Sequence, residues 1–357
     1  MHSLILPVSG KSSRFPSMRP KWLLTMPDGK LMYEKSIELL DLTRFDNIFL
    51  VCLQEHLDKY TSVRSLKESF RKNYDLELKV MSIEKSDSQS STVNQLIKEV
   101  KLGGSFVVKD CDNIFNVDCT PGNFVGYLSI NDFGLIDAKN KSYINIDNFG
   151  NITNIVEKKV ISTDFCVGSY GFESTKDFVD GYSRISNNSN SKTQEIYISH
   201  IIYSLLLKNK IFIARKSSNY IDFGTLREYR HYVSKSVTIF CDVDGVLLEN
   251  GSKFAPDGWR TRPILKNIQS IKKLQNEGFV YLVITTSRPE SEKEYLLDLF
   301  NKEGLKVSNF LFGMPHTRRI LINDFSNTNP YPSAVSVNIE RNSPELSSLM
   351  GYLFPID

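Results

Sequence analysis

A mostly apolar run at residues 237–241 is followed directly by two aspartates and a glycine, within the sequence VTIFCDVDGVLL. Such a run, closed by a D-G pair, predicts a buried strand that ends near Asp242. Side chains two apart on a strand lie on the same face, so the carboxylates of Asp242 and Asp244 should emerge together. Two carboxylates this close repel each other unless a cation or a phosphoryl group lies between them. The stretch therefore predicts a site for phosphate chemistry with Mg²⁺, which combines carboxylates with phosphate oxygens.

The D-x-D-G sequence that begins at Asp242 resembles the first motif of the haloacid dehalogenase (HAD) superfamily of phosphatases. The resemblance implies that Asp242 is the nucleophile and a metal ligand, and that Asp244 is the general acid and base. TSR at residues 286–288 resembles the superfamily's T-G-R motif and implies that Thr286, or alternatively Thr285, binds a phosphoryl oxygen. A strand that ends in an ordinary D-G turn is the competing interpretation of the first motif alone.

The sequence ILIND at residues 320–324 predicts a strand with an acidic end. It resembles the fourth motif of the same superfamily and implies that Asp324 completes the Mg²⁺ site. The third motif supplies a lysine or arginine, and His316 stands where the lysine aligns. Arg319 is our candidate for this cation, with His316 and Arg318 as alternatives. The short spacing between the first two motifs leaves room for only a minimal cap.

The chain begins with a similar pattern, because the apolar residues SLILPV are followed by the polar loop SGKSSRFPSMRPK. A strand that leads into glycine, hydroxyls and cations is typical of a phosphate-binding loop. The segment resembles the signature of the sugar-phosphate nucleotidyltransferases, roughly P-x-A-G-x-G-x-R-F followed by P-K. The matching positions are Gly10, Arg14, Phe15, Pro20 and Lys21. The resemblance implies that Gly10 and Arg14 bind substrate and that Lys21 is catalytic.

This loop departs from the signature at two positions. Ser12 stands where the family commonly has a second glycine, and Ser9 replaces the usual alanine. The departures imply that the nucleotide is held differently or that the activity is reduced. A polar surface loop without a ligand would explain the composition equally well.

Strand and helix patterns alternate after this loop. Residues 47–53 and 76–83 predict strands, and residues 32–42 and 55–72 predict helices. This alternation indicates a mostly parallel sheet with helices on both faces. In such sheets, ligands bind beyond the carboxyl ends of the strands.

The sequence SFVVKDCDNIF at residues 105–115 predicts a further strand that carries Asp110 and Asp112 two residues apart. Nucleotidyl transfer needs a metal that neutralises the triphosphate during in-line attack. The resemblance implies that Asp112, or alternatively Asp110, is a Mg²⁺ ligand. The segment DFGT resembles the family's D-x-G-T element and implies that Asp222 is the second ligand.

Two further elements resemble substrate-binding segments of the nucleotidyltransferases. Gln89 lies in the loop that would contact the nucleobase, and NIVEKK resembles the E-K-P element that holds the sugar phosphate. The second resemblance implies that Glu157 and Lys158 bind substrate, although Lys159 stands where proline is usual. Each element alone is weak, and their shared order along the chain supports the interpretation.

A chain of 357 residues favours two domains, which we predict at residues 1–233 and 234–357. Both are predicted to be α/β domains with doubly wound, mostly parallel sheets, the first a Rossmann-like nucleotidyltransferase domain and the second a HAD-like domain. The net charge of +3, with scattered cations, disfavours nucleic acid as a partner. No apolar run is long enough to span a bilayer. Five cysteines without a C-x-x-C pair predict reduced, mostly buried thiols and a cytoplasmic protein.

These observations predict a bifunctional enzyme of nucleotide-sugar biosynthesis, with capsular polysaccharide as one end product. The first activity is Mg²⁺-dependent nucleotidyl transfer from a nucleoside triphosphate (CTP, UTP or dTTP) to a phosphorylated sugar or polyol. The second is hydrolysis of a phosphate ester through an aspartyl-phosphate. A homo-oligomer is compatible with the sequence. One alternative is a phosphatase whose N-terminal domain only senses a ligand. Another is a non-catalytic scaffold, although mutually repelling carboxylates disfavour it.

Overall fold

The structure is a computed structural model that describes residues 1–10, 12, 14–15, 18–132, 140–188, 195–234, 236–256, 258–277, 279–322 and 334–351. The chain divides into two compact units, Met1–Tyr229 and Arg230–Asp357. This division lies four residues before the boundary predicted after residue 233.

The first unit contains the following strands in its described residues. They are β1 (His2–Pro7), β2 (Asn47–Leu53), β3 (Leu78–Ile83), β4 (Ser105–Lys109), β5 (Asn113–Asn116), β6 (Phe124–Ser129), β7 (Tyr143–Ile146), β8 (Ile152–Val156), β9 (Asp164–Phe172), β10 (Ile213–Lys216) and β11 (Ser218–Asp222). Nine of them form one sheet with the order β10-β6-β9-β4-β1-β2-β3, to which β7 and β8 are attached through β9. On this path β9 is antiparallel to its neighbours β4 and β6, and the other neighbouring strands are parallel to each other. The sheet is therefore mixed but mostly parallel. Strands β5 and β11 form a separate antiparallel pair.

Helices cover both faces of this sheet. They are α1 (Met32–Ser36), α2 (Gln54–Tyr60), α3 (Val63–Tyr74), α4 (Gln89–Glu99), α5 (Thr175–Asn188) and α6 (Ile198–Leu206). A further helix, α7 (Leu226–Ser234), spans the boundary between the two units. Leu4 and Leu6 of β1 pack into a core with α1, α2 and α3, whereas Ile5 packs into a second core with α4, α5 and α6. Alternate residues of a strand point to opposite faces, so β1 is buried on both sides, as parallel strands usually are.

The helix predicted over residues 55–72 is in fact two helices. Thr61 adopts an extended backbone that ends α2, and Ser62 accepts a hydrogen bond from Ser65 N (3.1 Å) and begins α3. A serine at this position satisfies an amide that would otherwise lack a partner in the first turn. The break therefore has a local cause in the sequence that the apolar spacing alone does not reveal.

The second unit is built on a parallel sheet with the order β12 (Val237–Asp242), β13 (Val280–Thr285) and β14 (Asn309–Leu311) in its described residues. The helices α8 (Leu265–Glu277), α9 (Lys293–Lys302) and α10 (Leu346–Gly351) contribute apolar side chains to one core with these strands.

The strand predicted at residues 320–324 is wrong for its described part. Ile320, Leu321 and Ile322 are 77%, 59% and 91% exposed and belong to no strand. An apolar run forms a strand only where a neighbouring strand supplies hydrogen bonds, and none pairs with this segment in the described part of the unit. Asn323 and Asp324 lie outside the described residues.

All five cysteines are buried and make no disulfide, as predicted. Burial raises the pKa of the Cys52, Cys111, Cys119 and Cys241 thiols to about 12, and raises that of Cys166 well above its usual value. None of the helices in the described ranges combines the length and the apolar character that a bilayer crossing needs.

Candidate functional site

The segment predicted as one strand over residues 105–115 is interrupted by a turn that carries both aspartates. Strand β4 ends at Lys109 and β5 begins at Asn113. The buried ammonium of Lys109 donates to the Asp110 carbonyl (2.6 Å), the Asn113 carbonyl (3.0 Å) and Asn113 Oδ1 (2.6 Å). A buried ammonium needs hydrogen-bond acceptors, so the chain leaves the sheet after β4 and turns around the Lys109 ammonium. Asp110 and Asp112 are therefore positioned by a turn.

Asp112 lies among cations. Lys21 Nζ is 2.5 Å and an Arg14 guanidinium nitrogen is 3.8 Å from Asp112 Oδ2. Burial alone would raise the pKa of Asp112, but the charge and hydrogen bond of Lys21, with Arg14, lower it below its usual value. The structure thus brings together three residues that the nucleotidyltransferase resemblance singled out.

Asp222 reaches the same place from the other end of the unit. It ends β11, where it is paired in register with Asn113, and Phe223 N donates to the Asp112 carbonyl (2.7 Å). A methyl group at Gly224 would lie 2.9 Å from Asp222 Oδ1 and 3.2 Å from Asp112 Oδ2. Because both distances start from one point, these two oxygens are at most 6.1 Å apart.

Two side chains near Asp222 are not among the residues predicted from the sequence. Lys141 Nζ donates to Asp222 Oδ2 and to the Tyr220 hydroxyl (2.7 Å), which itself donates to Asp222 Oδ2 (2.8 Å). Burial lowers the pKa of Lys141, but the charges of Asp222 and Asp112 outweigh burial and raise it. Tyr220 could have been predicted, since it lies two residues before Asp222 on one strand face. No local pattern distinguishes Lys141 from other loop lysines.

The loop after β1 keeps the backbone geometry of a glycine at Ser12. The φ angle of Ser12 is +50°, in the left-handed region that glycine favours. Its Oγ accepts a hydrogen bond from Lys21 N (3.0 Å), which fixes the backbone of the catalytic candidate. Ser9 Oγ is hydrogen bonded to Thr92 Oγ1 in the first turn of α4. Both departures from the signature therefore tie the loop to neighbouring parts of the unit.

Gln89, predicted to contact the nucleobase, is held by Asp110. Its Nε2 donates to Asp110 Oδ1 (2.5 Å). Burial, followed by the nearby charge of Asp112, raises the pKa of Asp110 to about 6 despite this hydrogen bond. The two carboxyls thus differ in their partners, because Lys21 and Arg14 pair with Asp112, whereas a neutral amide binds Asp110.

The raised pKa of Asp110 predicts a pH-dependent stability. A carboxyl whose pKa is raised by folding stabilises the fold fully below its unfolded value, near 4, and loses this contribution as pH rises through about 6. The variant Asp110→Asn should therefore gain free energy of unfolding relative to the wild type, on the order of 1–3 kcal/mol, between pH 4 and pH 7. Urea unfolding at both pH values without divalent ions measures it. An equal difference at both pH values would contradict the prediction.

Glu157 and Lys158 contact Ser142 and Lys141, respectively. The Glu157 carboxylate accepts hydrogen bonds from Ser142 Oγ and from Ser199 Oγ (2.7 Å). Lys158 Nζ donates to the Tyr197 hydroxyl (2.6 Å), and Lys158 N donates to the carbonyl of Lys141 (3.1 Å). Lys141 and Ser142 are consecutive residues, and Lys141 also pairs with Asp222. Glu157 and Lys158 are therefore connected to Asp222 through this short segment.

The donor set at the turn fits Mg²⁺. Asp112 and Asp222 supply hard carboxylate oxygens from two elements, and Mg²⁺ is commonly held by one or two carboxylates with waters and substrate phosphates. Within the described ranges, no group of three or more acidic, histidine or cysteine side chains forms a complete metal cage. The chemistry of the pair therefore suits an ion that arrives with phosphate ligands.

The second unit places its predicted residues around two arginines. Asp242 ends β12 in register with Thr285 of β13, and an Arg319 guanidinium nitrogen is 3.3 Å from Asp242 Oδ1. Asp244 lies beyond the strand, and Arg288 binds both its oxygens (2.7 and 3.1 Å). The prediction that both aspartates lie on one strand is therefore wrong, because β12 ends at Asp242. Each aspartate pairs with a different arginine. Asp324, the other predicted metal ligand, lies outside the described residues.

Thr286 and Arg288 belong to one buried turn. Both are fully buried, and Thr286 Oγ1 accepts a hydrogen bond from Arg288 N (3.1 Å). An Arg288 guanidinium nitrogen also donates to the Trp259 carbonyl (2.9 Å). This arginine belongs to the TSR sequence but is not among the predicted site residues.

These two arginines predict contrasting stability effects. Arg288→Met should lower the free energy of unfolding of the second unit by about 3 kcal/mol, because it leaves the Asp244 carboxylate, which is 14% exposed, without its partner. Arg319→Met is the matched control and should cost less than about 1 kcal/mol, because the side chains of its ion pair are more exposed, at 46% for Arg319 and 34% for Asp242. Hydrogen exchange of the β12 and β13 amides in the full chain reports both, and equal effects would refute this reading.

Solved structures with a similar fold exist for the first unit. A nucleoside-diphosphate-sugar pyrophosphorylase from Vibrio cholerae RC9 has 18% identity and a TM-score of 0.55, and the alignment covers 64% of this chain and 98% of that one. A Bacillus anthracis protein assigned as a glucose-1-phosphate thymidylyltransferase, solved with sucrose, has 19% identity, a TM-score of 0.51 and coverages of 65% and 93%. A UDP-glucose pyrophosphorylase complexed with UDP-glucose has 16% identity, a TM-score of 0.50 and coverages of 65% and 96%.

No protein-family model matches the chain, and no curated protein sequence matches it at a significant level. At these identities the structural likeness shows a common fold. The N-terminal part of the chain therefore has the mixed α/β fold of sugar-phosphate nucleotidyltransferases, as predicted.

Proposed function

We propose that the chain is a bifunctional enzyme. Its first unit transfers a nucleotidyl group from CTP, UTP or dTTP to a phosphorylated sugar or polyol and releases pyrophosphate. Its second unit hydrolyses a phosphate ester. The observation that carries the first activity is the convergence of Asp112 and Asp222 at Gly224, beside Lys21 and Arg14.

In the first reaction, a phosphate oxygen of the acceptor attacks the α-phosphorus of the triphosphate, and pyrophosphate leaves from the opposite side. Arg14 and Lys21 would bind triphosphate oxygens, because both are cations on the loop after β1. Glu157 would accept hydrogen bonds from hydroxyls of the phosphorylated sugar or polyol in place of Ser142 and Ser199. Lys158 would bind the phosphate of the same substrate. Asp112 and Asp222 would hold Mg²⁺, which supplies charge neutralisation at the phosphates.

Ser12 bears on the alternative that the first unit is only a ligand sensor. That alternative rested on the missing second glycine of the signature. Because Ser12 adopts the left-handed conformation that glycine favours, the loop geometry does not depend on a glycine there. This observation supports an active transferase.

In the second reaction, the Asp242 carboxylate would attack the phosphorus, and the departing ester oxygen would take a proton from Asp244. Water would then attack the aspartyl-phosphate and lose its proton to Asp244. The position of Asp242 at the carboxyl end of a parallel strand supports this role, since ligands bind at that edge. Arg319 would balance charge at the nucleophile, Asp324 would complete the Mg²⁺ site with Asp242, and the Thr286 hydroxyl would bind a phosphoryl oxygen.

The test is to incubate the full chain with Mg²⁺, each of the four common nucleoside triphosphates and a panel of sugar and polyol phosphates. Pyrophosphate release that requires both substrates is expected for at least one pair. Phosphate release from the same panel, without nucleotide, tests the second unit. Nucleotide binding without pyrophosphate release for any pair would overturn the proposed transfer and favour the sensor.

A further inference from the structure

The carboxylates of Asp112 and Asp222 are already occupied by cations of the protein. Asp112 Oδ2 pairs with Lys21, and Asp222 Oδ2 pairs with Lys141. The other oxygen of Asp222 accepts a hydrogen bond from Gly224 N (2.8 Å). A divalent ion that approaches this pair on its own therefore meets two ammonium groups on the oxygens it needs.

The two lysines differ in how firmly they are held. The Lys21 side chain is 25% exposed and lies beside the loop after β1, where an incoming triphosphate would bind. The Lys141 side chain is 17% exposed, and its ammonium donates to Tyr220 and Asp222 and lies 5.3 Å from the centre of the Tyr220 ring. Lys141 is therefore the more firmly held counter-ion of the pair.

Charge balance at the turn shows what could release these carboxylates. The acidic groups at the turn are Asp110, Asp112, Asp222 and Glu228, and the cations that interact with them are Arg14, Lys21, Lys109 and Lys141. The side chains that face the pair do not carry the excess negative charge that attracts a free divalent ion. A triphosphate would bring several negative charges and oxygen acceptors for the ammonium groups. Phosphate and metal should therefore bind together.

We propose that Lys141 is an internal counter-ion that keeps free divalent ions off the Asp112–Asp222 pair, so that the metal enters only with the polyphosphate of the nucleotide. The inference rests on the proposed nucleotidyl transfer for the identity of the ligand. It assigns to Lys141 control over the order of binding, a role that does not require contact with the reacting atoms.

The test measures Mn²⁺ binding by water-proton relaxation, which is enhanced when the ion is immobilised on protein. All proteins are full chains with Asp242→Asn, so that the second unit contributes less binding. Mn²⁺ alone should bind Lys141→Met at least about ten-fold more tightly than the parent, because a positive charge beside the ion is removed. Lys141→Arg keeps the charge and should bind like the parent. Inorganic tripolyphosphate should raise the amount of protein-bound Mn²⁺ in the parent.

Lys216→Met is the matched control, because Lys216 pairs with Asp132 (2.7 Å) at an exposed position. Adding Asp222→Asn to Lys141→Met should abolish the gain in Mn²⁺ affinity. This loss would show that the ion binds at Asp222. Equal affinities of the parent, Lys141→Met and Lys216→Met would overturn the proposal. If Lys141→Met does not fold, tight Mn²⁺ binding by the parent without tripolyphosphate would overturn it as well. Because no turnover is measured, a failed transfer assay overturns the proposed function without altering this result.

Discussion

Replacing Asp112 by asparagine is expected to lower kcat for nucleotidyl transfer by about 10³-fold. The carboxylate is one of two that would hold Mg²⁺, and it also positions Lys21 and Arg14. An amide of the same size keeps the shape of the turn but removes the charge. Pyrophosphate release at saturating nucleotide and acceptor measures the effect, and hydrolysis by the second unit should be unchanged.

Asp118→Asn is the matched control for this prediction. Asp118 lies in the same unit, its side chain is 54% exposed and it belongs to no part of the candidate site. Its kcat should remain within about two-fold of the wild type. A kcat for Asp112→Asn within ten-fold of the wild type would contradict the role given to this carboxylate.

Replacing Asp242 by asparagine is expected to lower phosphate-ester hydrolysis by at least about 10⁴-fold, because the amide cannot form the covalent intermediate. Rapid acid quenching should trap phosphate on the wild-type protein and none on Asp242→Asn. Nucleotidyl transfer should continue in this variant. The result would separate the two activities in one chain.

The control here is Asp298→Asn, on an exposed position of α9 in the same unit. It should hydrolyse phosphate esters at the wild-type rate. Trapped phosphate on Asp242→Asn would show that another residue is the nucleophile. Unchanged hydrolysis in that variant would remove the case for a phosphatase in the second unit.

Apolar runs predicted the central strands well, because burial decides their structure. Strands β1, β2, β3 and β12 lie within or close to the predicted segments. The turn at Asp110 and Asp112 was missed, because it depends on the hydrogen bonds of one buried ammonium, that of Lys109. Periodicity responds to apolar side chains and contains no signal for such a group.

The candidate site was predictable where residues belong to motifs and unpredictable where the tertiary fold supplies them. Asp112 and Asp222 were chosen from separate motifs, and the pairing of β5 with β11 brings them together. Lys141 enters from a loop without any motif, so only the folded chain places it beside Asp222. The roles of Glu157, Lys158 and Gln89 in binding substrate remain predictions.

The burial of all five cysteines has a practical consequence for spectroscopy. Thiol-directed reagents attack the thiolate, which is scarce near neutral pH when the pKa is about 12. A cysteine introduced at an exposed position such as Asp118 should therefore take up a maleimide fluorophore or nitroxide selectively, with the natural thiols left in place. A probe attached at one introduced cysteine can then report ligand binding to the unit that carries it, in the intact chain.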